Sequence, residues 1–277
     1  MEELKQKLTG AGIPCRENEP LAAHCTFKIG GAAQLFVQPE TEPQLCRAVA
    51  LCRETGSRFY LLGNGSNILF ADEGYAGAVI DVSALHSPVE VSDGILRVGA
   101  GARLSAVCKA ALEHGLTGLE FAYGIPGTIG GAVYMNAGAY GGEMKDVLVS
   151  VRCLTADGTV EELPAAALDL SYRHSIFETN GSCILSAVLQ LQPGDPEQIR
   201  ARMDELMAKR VEKQPLDKPS AGSTFKRPAG AFAAALIDQC GLRGYRHGGA
   251  AVSDKHCGFV VNLGGATCAD VLALCDE

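Results

Sequence analysis

The sequence of 277 residues predicts an α+β fold, on three observations. From Thr41 to Gly56 the apolar residues recur at spacings of three and four, which is typical of an amphipathic helix. Around Asp93-Gly94, two short alternating segments meet at the dipeptide most typical of a tight β-hairpin. Beyond a link rich in Pro, Lys and Ser, residues 229–244 predict a helix and residues 250–265 predict a pair of strands.

The remaining elements follow in chain order from similar signals. Residues 58–63 predict a strand that runs into the turn "NGSN", and residues 76–83 predict a second strand. Leu104 to His114 predict a helix closed by Gly115, and a hairpin is predicted around Ala156-Asp157-Gly158. Asp195-Pro196 supplies an N-cap and a proline at the first helical position, which predicts a helix running to about Lys213.

Composition and charge restrict the class of protein. Hydrophobic residues make up 47% of the chain and charged residues 20%, as in an ordinary folded protein. A net charge of −8 disfavours nucleic acid as a partner, because polyanions are met by broadly basic surfaces. No apolar stretch approaches the roughly 20 residues that cross a bilayer, and the start lacks the plan of a secretory signal. We therefore expect a cytoplasmic protein with no membrane partner.

The cysteines and histidines do not predict a metal site. The eleven cysteines are scattered without CxxC spacing, so most are expected to be free, buried thiols. His256 beside Cys257 is the closest approach to a ligand pair. Both are predicted on a strand, where adjacent side chains point to opposite faces.

A basic segment stands out in an otherwise acidic chain. Between Lys209 and Arg227 lie six cations and two acids. One interpretation is a basic helix end, where cations interact favourably with the helix dipole. The other is a pocket for a small phosphorylated anion.

Two glycine-rich segments could bring main chain close to a ligand. The first, "LLGNGSN", follows a strand, but Ile68 occupies the third position of a GxGxxG fingerprint and no Walker ending follows, so standard nucleotide loops are rejected. The second runs from Gly124 to Gly142 and holds seven glycines in nineteen residues. It is either a tight turn packed on the sheet or, together with the first segment, a cradle for a large flat cofactor with a pyrophosphate.

The last residues of the sequence predict the first turns of a helix. Thr267 and Asp270 have the spacing of a capping box, and the chain stops ten residues after Thr267. We expect that the natural carboxyl terminus is missing from this chain.

Five segments together resemble the UDP-N-acetylenolpyruvoylglucosamine reductases. They are "YLLGNGSNIL", "GLEFAYGIPGTIGGAVYMNAGAYGGE", "SYRHSIF", "KPSAGSTFKRP" and "GGAAVSDKHCGFVVN", and the resemblance extends in order from Phe27 to Asp270. The short segment after Phe177 is similar to the second type of the family. The resemblance implies FAD held noncovalently in a vanillyl-alcohol-oxidase-like fold of two subdomains, residues 1–83 and 84–212, plus a smaller α+β substrate-binding domain, residues 213–277.

The resemblance also implies which residues contact the cofactor. No histidine or cysteine that could attach a flavin lies in the first glycine loop. The implied FAD-binding residues are Leu62, Gly63, Asn64, Gly65, Ser66, Asn67, Gly124, Ile125, Pro126, Gly127, Ile129, Gly130, Gly131, Asn136, Ala137 and Arg227.

Two residues are implied to be catalytic. Arg173 would stabilise negative charge building on the substrate carboxylate, because a guanidinium fork can grip that group in a defined plane. Ser223 would donate the proton that completes saturation. For each, the sequence alone also allows a plainer role: a surface ion pair for Arg173 and a helix or turn cap for Ser223.

Tyr172 and Lys213 are implied to line the substrate pocket, and His174 and His256 are taken as structural.

The implied activity is NADPH-dependent reduction of UDP-N-acetylglucosamine enolpyruvate to UDP-N-acetylmuramate, a step of peptidoglycan synthesis that serves cell shape and division. Its partners would be the two small-molecule substrates, with the protein acting as a monomer. One departure stands: the family's catalytic glutamate lies beyond the last helix, and Glu277 is not its counterpart. If the protein truly ended at Glu277, we would expect it to bind flavin but to turn over very slowly. The rival interpretations are a flavin oxidoreductase acting on a small alcohol or sugar, and a binding module without catalysis.

Overall fold

A computed structural model describes residues 1–277. The α-helices are α1 (Glu2–Gly10), α2 (Glu42–Glu54), α3 (Leu104–Glu113), α4 (Ile129–Tyr134), α5 (Pro196–Lys213), α6 (Ala233–Gln239) and α7 (Cys268–Asp276). The strands are β1 (Cys15–Pro20), β2 (Ala32–Val37), β3 (Phe59–Leu62), β4 (Tyr75–Asp81), β5 (Val89–Ser92), β6 (Ile95–Gly99), β7 (Leu116–Thr117), β8 (Gly138–Ala139), β9 (Gly142–Glu143), β10 (Leu148–Leu154), β11 (Val160–Pro164), β12 (Cys183–Gln190), β13 (Gln192–Pro193), β14 (Ser220–Ser223), β15 (Arg246–His247), β16 (Ala250–Val252) and β17 (Phe259–Asn262).

The chain divides into two compact units, each built from separate segments. Unit 1 comprises Met1–Arg16, Phe36–Asn64 and Ala78–Ala208. Unit 2 comprises Glu17–Leu35, Gly65–Gly77 and Lys209–Glu277. The domain boundaries after residues 83 and 212 stay a prediction.

The sheets explain where the main core lies. A five-stranded antiparallel sheet of order β11-β10-β12-β6-β5 belongs to unit 1, and its buried side chains pack with those of α3, α4 and α5. A smaller antiparallel sheet of order β14-β17-β16-β15 belongs to unit 2. A further sheet has the order β1-β2-β4-β3, in which β3 and β4 run parallel. None of the helices has the length and apolar character needed to span a bilayer.

Local sequence signals explain several element boundaries. Helix α2 begins after Thr41, whose side chain accepts a hydrogen bond from the Gln44 amide. The β5–β6 hairpin turns through Asp93 and Gly94, with φ of 50° and 78°, as a primed turn requires. Thr267 and Asp270 form the predicted capping box at the start of α7. These predictions are confirmed.

One local prediction is wrong. His256 and Cys257 lie in the turn between β16 and β17, not on a strand. The His256 ring Nδ1 accepts a hydrogen bond from the Gly258 amide at 3.1 Å, and this local bond competes with strand pairing.

The eleven cysteines are all free thiols, and seven of them are buried. Burial raises the pKa of Cys52 to about 11 and the pKa of Cys108 and Cys183 to about 12. These three thiols therefore stay protonated at neutral pH and act as small apolar core groups.

Candidate active site

The two predicted glycine loops meet inside unit 1. The side-chain amide of Asn64 donates a hydrogen bond to the Pro126 carbonyl at 2.8 Å. A Cβ added at Gly63 would lie 2.7 Å from the Thr128 Oγ1, which is closer than side chains approach. The absence of a side chain at Gly63 therefore lets the end of β3 pack directly on the second loop.

The second loop is fixed by main-chain bonds to the segment that follows β6. The Leu104 amide donates to the Gly127 carbonyl at 3.0 Å, and the Gly130 amide donates to the Ala100 carbonyl at 2.9 Å. Thr128 caps α4, since its Oγ1 accepts a hydrogen bond from the Gly131 amide at 3.3 Å. These hydrogen bonds fix the loop to the segment that follows β6.

Packing explains only some of the glycines in this loop. A Cβ at Gly130 would lie 3.1 Å from the Ala100 Cβ, so packing favours glycine there. A Cβ at Gly127 or Gly131 would meet its nearest neighbour at 3.6 Å or 3.5 Å, ordinary contact distances. Gly131 is also exposed and lies inside α4, where alanine would stabilise the helix. Internal packing gives no reason for glycine at these two positions.

The rest of the first loop belongs to unit 2. Gly65 has a φ of +61°, and an added Cβ would lie 2.1 Å from the His24 carbonyl oxygen. The Thr26 amide donates to the Gly65 carbonyl at 2.9 Å. The element that follows this loop is strand β4 and not the helix of a Rossmann fingerprint, in agreement with the rejection of that motif.

Tyr172 and Arg173 form the tip of a tight turn in unit 1. Ser171 and His174 close it by exchanging main-chain hydrogen bonds of 3.1 and 3.2 Å. Arg173 has a φ of 56° and is half-buried, and its guanidinium lies 5.9 Å from the Tyr172 ring centroid. It also donates a 3.5 Å hydrogen bond to the Gly138 carbonyl. Arg173 makes no ion pair, so the plainer interpretation of this residue as a surface ion pair does not apply.

The buried side chain of Asn136 holds this turn by hydrogen bonding. It is 2% exposed, and its side-chain amide donates to the Ser171 carbonyl at 3.0 Å and to the Glu143 Oε2 at 2.7 Å. Its Oδ1 accepts a hydrogen bond from the Lys145 amide at 2.9 Å. Because these bonds occupy the side chain, any contact of Asn136 with a cofactor would be through its main chain. Sequence reasoning missed Glu143, which carries no recognisable local signal.

His174 is held between two carboxylates. Its Nδ1 lies 2.9 Å from the Glu178 Oε2, and its Nε2 lies 3.3 Å from the Asp169 Oδ2. The hydrogen bond to Glu178, followed by that to Asp169, raises the pKa of His174 above its ordinary value. Protonation of His174 therefore stabilises the fold next to Arg173.

This arrangement predicts a pH dependence of stability. For a raised pKa, the contribution is complete below the unfolded pKa and is lost as pH rises through the folded value. We expect the stability difference between wild type and His174→Gln, measured by urea unfolding, to shrink as the pH rises from below to above the ordinary histidine pKa of about 6.5. Glu178→Gln should weaken the same dependence. An unchanged difference across this range would contradict the assignment.

Ser223 ends the edge strand β14 of unit 2. Ser220 pairs with Val261 and Ser223 pairs with Phe259, and the register shifts between the two pairs. Gly222, in the shifted part, has a φ of +82°. This is the geometry of a β-bulge, which commonly redirects a side chain beside an active site. Ser223 is exposed and caps no helix, so its interpretation as a helix cap does not apply.

The cations of the basic segment lie on the last turns of α5 and on the loops that follow it. Arg210 and Lys213 lie in the last turn of α5, as the helix-end interpretation predicts. The Arg227 guanidinium stacks 4.6 Å from the Phe232 ring centroid. Lys218 lines a cleft of about 490 Å³ in unit 2, together with Lys28, Asp217, Pro219, Asn262, Leu263, Gly264 and Gly265.

The other predicted cofactor residues differ in exposure. Buried positions, which could present only main chain to a ligand, are Leu62, Ile129 and Ala137. Gly124, Ile125 and Ser66 are half-buried, and Pro126 and Asn67 are exposed.

Comparison with family models finds two matches. An FAD binding domain matches residues 33–164. The C-terminal domain of UDP-N-acetylenolpyruvoylglucosamine reductase matches residues 214–277.

Curated relatives and solved structures agree with these matches. The UDP-N-acetylenolpyruvoylglucosamine reductase of Agathobacter rectalis is 49% identical over 270 residues, covering 93% of this chain and 86% of the relative. That of Lachnoclostridium phytofermentans is 46% identical, covering 100% and 90%. The crystal structure of the reductase from Thermus caldophilus has a TM-score of 0.82 at 36% identity, covering 95% and 93%.

A more distant structure shares the fold alone. Alkyldihydroxyacetonephosphate synthase has a TM-score of 0.54 at 20% identity and covers 70% of this chain and 40% of that protein. Together these findings confirm the predicted fold class, an FAD-binding part of this type with a smaller α+β part.

Proposed function

The chain belongs to the UDP-N-acetylenolpyruvoylglucosamine reductases, and from that premise we propose which of its residues carry the family's reaction. The protein is an FAD-dependent oxidoreductase that reduces UDP-N-acetylglucosamine enolpyruvate to UDP-N-acetylmuramate with NADPH, in peptidoglycan precursor synthesis. The observation that carries the residue assignment is the contact of the two glycine loops through Asn64 and Pro126.

The residues present fit FAD. Gly127 and Gly131 lack side chains although neither packing nor main-chain conformation requires it, which is expected where a ligand lies against the main chain. Main chain of the two glycine loops would hold the cofactor, with Arg227 as a further contact. The chemistry that FAD would supply there is hydride transfer from NADPH to the enolpyruvyl double bond.

Substitutions at the neighbouring Gly130 and Gly131 distinguish the effect of ligand contact from the effect of internal packing. Gly131→Ala should stabilise the apoprotein by about 0.5–1 kcal/mol, because alanine is the better helix residue, while weakening FAD binding by about tenfold or more. Gly130→Ala should instead lower apoprotein stability by about 1 kcal/mol or more, because its Cβ would crowd Ala100. Thermal unfolding and quenching of flavin fluorescence measure the two effects. Unchanged FAD affinity in Gly131→Ala would show that Gly131 does not contact the cofactor.

Arg173 would bind the substrate carboxylate. The tight turn presents its guanidinium without a competing carboxylate, and the support from Asn136 limits its movement. Charge that develops on the carboxylate side during hydride addition would be stabilised by this fixed cation. Tyr172, 52% exposed at the same turn, and Lys213 would contact the rest of the substrate.

Ser223 would complete the reduction. Hydride adds at one carbon of the enolpyruvyl double bond, and the Ser223 hydroxyl would give its proton to the carbon next to the carboxylate. The β-bulge at Gly222 turns the serine out of the regular ladder, and its hydroxyl donates no hydrogen bond within the chain.

A three-step spectroscopic experiment tests the function. Purified protein should be yellow, should bleach when NADPH is added without oxygen, and should regain its colour when UDP-N-acetylglucosamine enolpyruvate follows. Colour restored by a simple alcohol or sugar oxidation product would favour the rival oxidoreductase. Bleaching absent in a yellow protein would favour a binding module.

The setting follows from the substrates. UDP-sugars and NADPH are small soluble molecules, and we place the reaction in the cytoplasm. We also propose that the protein acts as a monomer, which analytical ultracentrifugation of the FAD-loaded protein would test.

A further inference from the structure

Thr26 contacts both the Gly65 turn, which we assign to FAD, and the strand that carries Ser223. Its amide donates to the Gly65 carbonyl at 2.9 Å, in the turn assigned to FAD. Its hydroxyl donates to the Ser220 carbonyl at 2.6 Å, across 194 residues of sequence, and lies 3.4 Å from the Gly65 carbonyl. All three residues belong to unit 2.

Ser220 is the last regular residue before the β-bulge that leads to Ser223. On the far side of the bulge, the Thr224 amide donates to the Gly258 carbonyl at 2.8 Å. Ala221 and Gly222 lie between these anchors, and nothing stands within 4 Å of a Cβ added at Gly222. Pairing with Val261 and the hydrogen bond from Thr26 both hold Ser220, and the anchors at either end of the bulge set the position of Ser223.

The residues next to Thr26 are tied to the same sheet. The Asn262 side-chain amide donates to the Phe27 carbonyl at 3.2 Å, and the Asn262 main-chain amide donates to the Pro219 carbonyl at 2.9 Å. Asn262 is 6% exposed. The segment around Thr26 is thus held independently of the Thr26 hydroxyl, and that hydroxyl joins the segment directly to Ser220.

We propose that Thr26 is a positioning residue that sets the strand carrying Ser223 at a fixed distance from the Gly65 turn. The inference rests on the proposed roles of Gly65 and Ser223. Proton delivery depends steeply on placement, because a displacement of about 1 Å can cost 10²-fold in rate. The main-chain bond to Gly65 would preserve the turn itself whatever the side chain at position 26.

Three variants test this inference in the FAD-loaded protein. Thr26→Val removes the hydroxyl at constant shape, Thr26→Ser keeps it, and Thr55→Val removes a hydroxyl that donates to the Leu51 carbonyl at 2.8 Å in unit 1. In Thr26→Val, reoxidation of reduced enzyme by the enolpyruvyl substrate should slow roughly 10- to 100-fold. Flavin reduction by NADPH and FAD affinity should not change. Thr26→Ser and Thr55→Val should match wild type in reoxidation rate, flavin reduction rate and FAD affinity.

Hydrogen exchange supplies a readout that does not depend on turnover. Amides of residues 220–224 should exchange faster in Thr26→Val and at the wild-type rate in the other two variants. Equal losses in both half-reactions and in FAD affinity would show a general structural role and overturn the proposal. So would wild-type reoxidation and exchange in Thr26→Val. Failure of the wild-type enzyme to regain colour with substrate would instead overturn the proposed function.

Discussion

Ser223→Ala is expected to slow reoxidation of the NADPH-reduced enzyme by the enolpyruvyl substrate by roughly 10²–10⁴-fold, the usual contribution of general acid catalysis. Reduction by NADPH should keep its wild-type rate, because the serine gives no proton in that step. Rapid mixing of reduced enzyme with substrate, followed by the return of flavin absorbance, measures the first rate. Mixing of oxidised enzyme with NADPH measures the second.

The division between half-reactions makes this prediction specific. Gly222 has open space around it and Ser223 is exposed, so removal of one hydroxyl should leave the fold unchanged. Ser92→Ala, in the hairpin strand β5 of unit 1, controls for serine loss. If Ser223→Ala reoxidises as fast as wild type, the proton comes from another donor and the assignment fails. If both half-reactions slow together, Ser223 supports the cofactor instead.

Signals confined to a few neighbouring residues gave reliable predictions. Asp93-Gly94 adopts the positive φ pair that its hairpin needs, and Thr267 with Asp270 forms a capping box because both partners lie within one turn. The start of α5 behaves similarly, since Asp195 accepts a hydrogen bond from the Glu197 amide at 2.9 Å. In each case the physical cause is complete within four residues of sequence.

Features that join distant segments could not be predicted from sequence. The Thr26 contact with Ser220 spans 194 residues, and neither residue has a local pattern that distinguishes it. The same holds for the amide of Asn136 beneath Ser171. At His256 a local contact overrode the predicted strand. The His256 ring accepts a hydrogen bond from the Gly258 amide, and these residues form a turn.

The glycine-rich loops combine both kinds of information. Sequence identified the loops but could not assign a cause to each glycine. Space around an added Cβ separates Gly63 and Gly130, which packing restricts, from Gly127 and Gly131, which it does not. At the first pair, main chain packs closely against the side chains of Thr128 and Ala100. For the second pair we propose contact between a ligand and the main chain.

Gly65→Ala is expected to be the most disruptive single substitution in the first loop. A left-handed conformation costs a non-glycine residue about 1–2 kcal/mol, and overpacking typically adds about 1–3 kcal/mol. The added Cβ would lie 2.1 Å from the His24 carbonyl oxygen and 2.7 Å from the Cys25 Cα, and main chain cannot swing aside as a side-chain tip does. We expect a loss of roughly 2–5 kcal/mol in unfolding free energy and a colourless purified protein.

Gly56 provides a matched control for this prediction. Its φ of +63° is close to that of Gly65, but nothing lies within 4 Å of an added Cβ. Gly56→Ala should therefore cost only the conformational part, about 1–2 kcal/mol, and keep its FAD. Urea unfolding of the two variants isolates the close approach to His24. Equal losses would mean that the Gly65 turn moves away freely, and the Thr26 amide, released from the Gly65 carbonyl, would then exchange its hydrogen faster.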